Sequence, residues 1–216
     1  MTARRQLALD ASAGPASVAL FVDGALIGSR RIDRKGSAEL LAPTVAAALA
    51  DAGVRASDLT EIIVGGGPGS FTGLRVAAAL AKGLARGSGA ALLVVPSLPL
   101  IAAADDAARP GIHLSVLDAL RGEWFVQQAT LHATGIWSVD GVVERLAAAE
   151  VQVRAAALGA RLCGPPVRVD EQPDARAALR IGATPVDRDA WEPDYGRLAE
   201  AQVVWEAAHA RPLPAS

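Results

Sequence analysis

The sequence is poor in the residue types on which several classes of protein depend. Its 216 residues include one cysteine, three histidines and only 4% aromatic residues. The single cysteine, Cys163, excludes an intrachain disulfide and a zinc site built from cysteines. The histidines, His113, His132 and His209, lack the spacing that binds a metal from one helix, and His113 is predicted to be structural. We therefore expect no metal, an aliphatic core and a reducing compartment.

Strong charge and long hydrophobic runs are also absent. The formal net charge is −2, which does not provide the basic surface that tight tRNA binding by the chain alone requires. The apolar run from Ala90 is interrupted by Pro96 and Pro99 before it reaches membrane-spanning length. At the N-terminus, Leu7-Ala8-Leu9 leads directly into Asp10, without the apolar region of a signal peptide. We predict a cytoplasmic protein with no membrane contact.

The most informative segment that is present is a glycine-rich stretch, GGGPGSFTGLR, over residues 65–75. A predicted strand, Ile62–Val64, precedes it and a predicted alanine-rich helix, Val76–Arg86, follows it. Such a turn can expose N–H groups to a phosphate, or it can bring a helix close onto a sheet. The patterns G-x-x-x-x-G-K-[ST], G-x-G-x-x-G and G-x-S-x-G all fail to fit. The residues by themselves therefore favour packing.

The first half of the chain reads as a three-stranded meander followed by alternating helices and strands. Asp23-Gly24 is a two-residue hairpin signal between the second and third strands. A helix with Ser37 as its N-cap follows, and Pro43 is expected to kink it or to mark a later start. The predicted strands are 6–10, 17–22, 26–32, 61–64 and 91–95, and the predicted helices are 38–49, 76–86 and 97–108.

The second half begins like the first. Leu117-Asp118-Ala119 repeats Leu9-Asp10-Ala11 at a distance equal to half the chain, and again three strands are predicted. A repeat of that size indicates a duplicated subdomain. We predict strands 113–118, 123–131 and 136–139, with Trp124 and Phe125 in the core, then helices 142–149 and 151–158, a loop 164–173 and a helical pattern over 195–209. The boundary near Arg109 divides the chain into units 1–109 and 110–216.

Five stretches carry a resemblance to a known family. The string GPGSFTGLR is similar to the signature of the bacterial TsaB family, also called YeaZ. Asp118-Ala119-Leu120-Arg121-Gly122-Glu123 resembles the family's D-A-R-x-x-E, and weaker matches occur at 9–12, at Leu40-Leu41 and at 193–197. The matching stretches occur in the family's order and extend to about residue 200. Two departures are Gly36-Ser37, where the family usually has a histidine, and Gly66, where it often has an arginine.

The resemblance implies a fold and a function. The fold is the α/β actin/sugar-kinase/Hsp70-like (ASKHA, ribonuclease-H-like) duplicated fold, with a complete first lobe and a reduced second lobe. The family consists of non-catalytic partner subunits in the synthesis of threonylcarbamoyladenosine (t6A) on tRNA. The chain would not be an enzyme: it would bind a TsaD-like catalytic subunit together with a TsaE-like ATPase, and would form a homodimer when alone. tRNA would be reached only through that complex, and ATP or ADP would be bound only there, with no intrinsic cofactor.

Two helices are the candidates for the contact with a partner. The helix after the glycines is apolar on two sides, so one side can face the sheet and the other needs a neighbour. Packing of the two helices on each other inside the chain is the alternative, and the resemblance favours the interface. The predicted interface residues are Leu40, Leu41, Val45, Leu74, Arg75, Ala78, Ala81 and Ala85. Arg75 either meets a partner's carboxylate or a shared phosphate, or is simply solvated.

Two further predictions concern bound groups. The loop Gly67, Pro68, Gly69, Ser70, Phe71, Thr72 and Gly73 is a candidate phosphate or nucleotide contact at the interface. Asp10 and Asp118 end equivalent strands, where carboxylates can hold hydrated Mg²⁺ beside a nucleotide. We favour the alternative that each caps its own turn. The competing function, a small ATP-dependent phosphotransferase of the same fold, would depend on these two carboxylates.

Overall fold

The fold is built on two β-sheets joined by a buried helix. The computed structural model describes residues 3–33 and 37–196. The first sheet has six strands and the second has four. In spatial order, the strands of the first sheet are β10 (Thr184–Pro185), β5 (Ala91–Val95), β4 (Glu61–Gly65), β1 (Arg5–Asp10), β2 (Ala16–Val22) and β3 (Ala25–Ile32).

The predicted meander is confirmed, because β1, β2 and β3 pair antiparallel in sequence order. Asp23 and Gly24 have φ angles of 50° and 83°, as a tight hairpin turn requires. Strands β1, β4 and β5 run parallel, so their carboxyl ends lie at one edge of the sheet. That edge carries the turns that follow Asp10, Gly65 and Val95.

Three helices connect the strands of the first sheet: α1 (Ser37–Asp51), α2 (Phe71–Ser88) and α3 (Ser97–Ala103). Helix α1 starts at Ser37 and contains Pro43, so the proline does not mark a later start. Helix α2 begins five residues earlier than predicted, because the Ser70 side chain accepts a hydrogen bond from the Gly73 N–H and caps it. Helix α3 ends before the predicted residue 108.

The second sheet repeats the pattern of the first. Its strands are β6 (Gly111–Asp118), β7 (Glu123–Leu131), β8 (Trp137–Ala147) and β9 (Arg161–Cys163). β6, β7 and β8 form an antiparallel meander, and β9 runs parallel to β6 as β4 does to β1. The repeat predicted from Asp10 and Asp118 is therefore structural, since both residues end the first strand of a meander.

The prediction of a helix over 142–149 is wrong. Strand β8 continues to Ala147, where it pairs with Glu123, and helix α4 (Ala148–Leu158) begins at the next residue. The sequence was ambiguous because Val142, Val143 and Leu146 fit a helical spacing as well as an extended one. The extended conformation is set by the cross-strand partners on β7, which are distant in sequence.

Beyond β9 the chain returns to the first sheet through a 3-10 turn (Ala175–Ala177), the short helix α5 (Ala178–Ile181) and β10. Strand β10 pairs antiparallel with β5, at Val94 and Leu93. The last described strand therefore belongs to the first sheet. The division into units 1–109 and 110–216 stays a prediction, and the helical pattern predicted over 195–209 lies almost entirely outside the described residues.

Three hydrophobic clusters hold these layers together. The first joins both sheets around α3, with Phe21, Ile63 and Phe125 among its members. The second fills the opposite face of the first sheet under α1 and α2, with Leu7 and Ile62 among its members. Alternate residues of β4 therefore point into different clusters, as the period of a strand requires. A smaller cluster lies between the second sheet and α4.

Candidate functional site

The glycine turn lies at the carboxyl edge of the parallel strands, where four segments of the chain meet. It comprises residues 65–70, between β4 and α2. Around it are the first loop (residues 11–15), the start of α3 at Ser97, and a segment that we call the strap (residues 186–196). Hydrogen bonds connect the turn to each of them, through Ser12, Ser97 and Asp194.

The glycines are required because other atoms occupy the places where side chains would be. A Cβ atom on any of the five glycines between residues 65 and 73 would overlap a neighbour. The overlaps are of Gly65 with the Asp10 carboxylate, Gly66 with the Val94 side chain, Gly67 with the Asp194 carbonyl, Gly69 with the Ser12 carbonyl, and Gly73 with the Ala11 carbonyl. Gly67 also has a φ angle of 95°, which other residues rarely adopt. The turn therefore brings α2 and two loops into close contact with the sheet.

The N–H groups of the turn are largely used within the chain. Gly66 donates to the Val95 carbonyl (2.8 Å) and Ser70 to the Ser12 carbonyl (2.7 Å). Gly67 donates to Ser97 Oγ (3.0 Å), and Gly73 donates to Ser70 Oγ (3.3 Å). A phosphate would have to compete with these acceptors, so the geometry favours packing. The nucleotide contact predicted for residues 67–73 stays a prediction.

Asp10 is buried beneath this turn, with 1% of its surface exposed. Its Oδ1 accepts hydrogen bonds from Ser12 N–H (2.9 Å) and Ser12 O–H (2.7 Å), and its Oδ2 accepts one from Ser97 O–H (2.7 Å). Burial raises the pKa of this carboxyl, and the hydrogen bonds from Ser97 and Ser12 oppose that shift. The residue therefore caps its turn and ties the first loop to α3, as the favoured alternative predicted.

Asp118 is the counterpart of Asp10 in the second sheet, but it is exposed. Its Oδ1 accepts a hydrogen bond from Leu120 N–H at 2.7 Å, so it too caps a turn. Leu120 and Arg121 have φ angles of 67° and 56°, a backbone conformation that is costly for residues of their type. Within residues 3–33 and 37–196, no three acidic, histidine or cysteine side chains converge on a common metal position.

Most of the predicted interface side chains are buried inside the chain, and their role in a contact with a partner stays a prediction. Those concerned are Leu41, Val45, Leu74, Ala78, Ala81 and Ala85, none of them more than 5% exposed. Leu41, Val45, Ala81 and Ala85 belong to the hydrophobic cluster under α1 and α2. None of the six side chains presents more than a small surface to a partner in this conformation. The alternative of packing within the chain accounts for them. The sequence could not tell which of the two apolar sides of α2 faces the sheet.

The outward face of the helix pair α1/α2 carries other residues. Leu40 is half-buried and Arg75 is exposed, and these two predicted positions do reach the surface. Ala42 and Ala46 of α1 and Ala79 and Gly83 of α2 are also exposed. Their side chains are small, so another backbone could approach this face closely. That a second molecule binds here stays a prediction.

Arg75 has an aromatic neighbour that the sequence did not indicate. Its guanidinium lies 5.7 Å from the centre of the Phe71 ring, which in turn lies 4.6 Å from the Tyr195 ring. The arginine is thus held over an aromatic pair at the start of α2 while remaining exposed. Such cation–π contacts at exposed sites contribute roughly 0.5–1 kcal/mol.

The strap closes over the outer side of the glycine turn and α2. Asp194 N–H donates to the Gly66 carbonyl at 2.8 Å. Glu192 forms an ion pair with Lys82 (2.8 Å), and Lys82 also lies 5.9 Å from the Trp191 ring. Trp191 and Tyr195 therefore help to hold the strap against α2.

A cleft of about 420 Å³ separates the glycine turn from the second sheet. We call it the interlobe cleft. It lies between the first loop and the β6–β7 turn, and its lining includes Ser12, Gly69, Asp118, Leu120, Phe125 and Gln172. The sequence singled out Asp118 and the glycine turn but gave no signal for Gln172, which lies in the loop after β9.

The two remaining residues singled out in the sequence are buried. His113 lies on β6, where its Nε2 is 3.0 Å from the Arg109 carbonyl and its ring packs edge-on against Trp137. Burial lowers the pKa of this imidazole. Burial raises the pKa of the Cys163 thiol to about 11, so the thiol stays protonated. Within residues 3–33 and 37–196, no helix is long and apolar enough to cross a membrane.

Comparison with known proteins shows which proteins this chain is similar to. A family model described as "TsaD: tRNA N6-adenosine threonylcarbamoyltransferase" matches residues 31–148, more than half of the chain. Escherichia coli (strain K12) tRNA threonylcarbamoyladenosine biosynthesis protein TsaB is 31% identical over 137 residues, 62% of this chain and 58% of that protein. An uncharacterized protein of Mycobacterium tuberculosis (strain H37Rv) is 42% identical over 99 residues, 44% and 46% of the two chains. The alignments thus span about half the length of these relatives.

The structural comparison is more extensive. YeaZ from Pseudomonas aeruginosa superimposes with a TM-score of 0.77 at 27% identity, covering 89% of this chain and 99% of that one. The fold is therefore ASKHA-like, with a larger first sheet and a reduced second one, as predicted. The chain belongs to the TsaB/YeaZ family.

Proposed function

We propose that the chain is a non-catalytic subunit in the synthesis of t6A on tRNA. The relatives from Escherichia coli and Haemophilus influenzae carry the name of that pathway. In this role the chain binds a TsaD-like catalytic subunit and works with a TsaE-like ATPase. It reaches tRNA only through that complex, in the cytoplasm.

The burial and the hydrogen bonds of Asp10 are the observation that best supports a non-catalytic role. A phosphotransferase of this fold would need this carboxylate to face a metal ion and a nucleotide. Both of its oxygens are instead occupied by Ser12 and Ser97, and the residue is buried. Three N–H groups of the glycine turn and the N–H of Gly73 in α2 likewise donate to acceptors inside the chain. These contacts argue against the alternative of an ATP-dependent phosphotransferase.

The outward face of the helix pair α1/α2 is the proposed contact surface. Its exposed alanines and Gly83 permit close approach of two helices from another molecule, as in a four-helix bundle. A second copy of the chain uses the same face when the catalytic subunit is absent, which gives the predicted homodimer. ATP or ADP, if bound, is held only in the complex, near Arg75 and the start of α2.

Light scattering coupled to size-exclusion chromatography tests the proposal, with the chain mixed with the catalytic subunit of the same organism. Ala79→Glu places a charge on the outward face of α2, and Ala156→Glu makes the same change on an exposed position of α4. We expect a defined heteromer with the unmodified chain and with Ala156→Glu, and its loss with Ala79→Glu. Leu74 is unsuitable for this test because its side chain is fully buried.

Two results would contradict the proposal. Failure of the unmodified chain to bind the catalytic subunit would remove the assembly role. Transfer of threonylcarbamoyl to tRNA by the isolated chain would remove the non-catalytic one. A heteromer that survives Ala79→Glu would instead show that a different face makes the contact.

A further inference from the structure

The interlobe cleft has the opposite charge character to a nucleotide site. Among the described residues that line it, Asp118 is the one with a charged side chain. Oδ1 of Asp118 accepts the Leu120 N–H, and within residues 3–33 and 37–196 its Oδ2 has no hydrogen-bond partner. A carboxylate repels phosphate groups and attracts a positive charge.

Two buried polar side chains in the lining add hydrogen-bond acceptors. Ser12, 2% exposed, donates its hydroxyl proton to Asp10, so its oxygen can only accept from a ligand. Gln172, 8% exposed, donates from Nε2 to the Val169 carbonyl at 2.7 Å. That bond fixes the orientation of the amide, and Gln172 Oε1 has no partner among the described residues. A buried acceptor without a donor favours a ligand that brings one.

The rest of the lining is largely apolar. Leu117 and Phe125 belong to the hydrophobic cluster that joins the two sheets, and both line the cleft. Pro15 and Pro165 line it as well. Apolar walls with a few polar groups that fix orientation are typical of small-molecule sites. The volume of about 420 Å³ accommodates a ring or a short alkyl chain together with its charged group.

We propose that the interlobe cleft binds a small organic cation, a primary amine carried on an apolar body. The ammonium group binds the Asp118 carboxylate and donates to Gln172 Oε1, while the apolar body packs against Leu117 and Phe125. The cleft discriminates against ATP and other phosphates because it presents a carboxylate where they need a cation. This binding is independent of any partner subunit.

Isothermal titration calorimetry with benzylamine as the probe tests this inference. Benzyl alcohol, which has the same ring without the charge, and ATP are the comparison ligands. Asp118→Asn removes the charge but keeps the acceptor for the Leu120 N–H, and Asp170→Asn removes an exposed carboxylate outside the cleft lining. We expect saturable benzylamine binding that Asp118→Asn weakens by about tenfold or more and Asp170→Asn leaves unchanged.

A second variant keeps the test decisive if Asp118→Asn does not fold. Leu120 is exposed and lines the cleft, so Leu120→Lys places a cation there with little effect on the core. It is expected to weaken benzylamine binding as well. Absence of saturable benzylamine binding, equal binding of benzyl alcohol, or tighter binding of ATP would each overturn the inference.

Discussion

Two glycines of helix α2 allow a direct test of whether the glycine motif serves packing. Gly73 is in the first turn, and a Cβ at this position would overlap the Ala11 carbonyl oxygen. Gly83 is exposed, and a Cβ there would have no atom within 4 Å. Both residues are helical, so the change to alanine has a comparable effect on helix propensity. The difference between the two variants therefore reports the close contact of α2 with the first loop.

The two substitutions are expected to change the free energy of unfolding in opposite directions. Gly83→Ala should stabilise the protein by roughly 0.5–1 kcal/mol, because alanine loses less conformational entropy in a helix. Gly73→Ala must displace either the helix or the first loop, and it disturbs the bond from its N–H to Ser70. Overpacking of this kind costs about 2–3 kcal/mol. For a chain of this size, each kcal/mol corresponds to a change of about 2–4 °C in Tm.

Thermal unfolding followed by circular dichroism measures both variants against the unmodified chain. We expect a Tm higher by about 1–4 °C for Gly83→Ala and lower by about 4–12 °C for Gly73→Ala. Equal Tm values for the two variants would contradict this expectation, because they would show that no steric contact limits position 73. A stable Gly73→Ala protein would reopen the interpretation that the motif exists to hold a ligand.

Two titrating groups give further predictions. Because burial raises the pKa of Asp10 above its ordinary 3.8, its contribution to stability is fully present below that pH and is lost as pH rises through the raised value. Urea unfolding at a series of pH values should show this loss in the unmodified chain but not in Asp10→Asn, and parallel profiles would contradict it. Because burial lowers the pKa of His113 below its ordinary 6.5, its contribution is present above pH 6.5 and is lost as pH falls through the lowered value. His113→Gln should flatten the stability profile at acid pH. An unchanged slope there would show that His113 is not the cause of the loss of stability.

Elements set by local sequence were predicted well. The hairpin at Asp23-Gly24 follows from two residues that tolerate positive φ, and the strands around it follow from their β-branched and apolar residues. The equivalence of Asp10 and Asp118 was visible because the same short pattern recurs after half the chain. The short strands β9 and β10 were missed, because each is defined by its neighbour in the sheet and not by its own few residues.

The candidate site was predicted only in part. The glycine turn and the two aspartates were found from sequence, whereas Ser97, Gln172 and the contact of Asp194 with the turn were not. The bond between Ser97 and Asp10 joins residues 87 positions apart. No local pattern indicates such a pair. The same limit explains why the sequence did not show which side of α2 packs against the sheet.

Short patterns of residues were enough to predict the family, the order of most strands and helices, and the place of the glycine turn. Three other properties became visible in the three-dimensional arrangement: the glycines make room for neighbouring atoms, Asp10 is buried, and α2 turns Leu74, Ala78, Ala81 and Ala85 inward. Those properties depend on which distant segments meet at the edge of the first sheet. Burial and hydrogen bonding there are set by contacts across the whole chain.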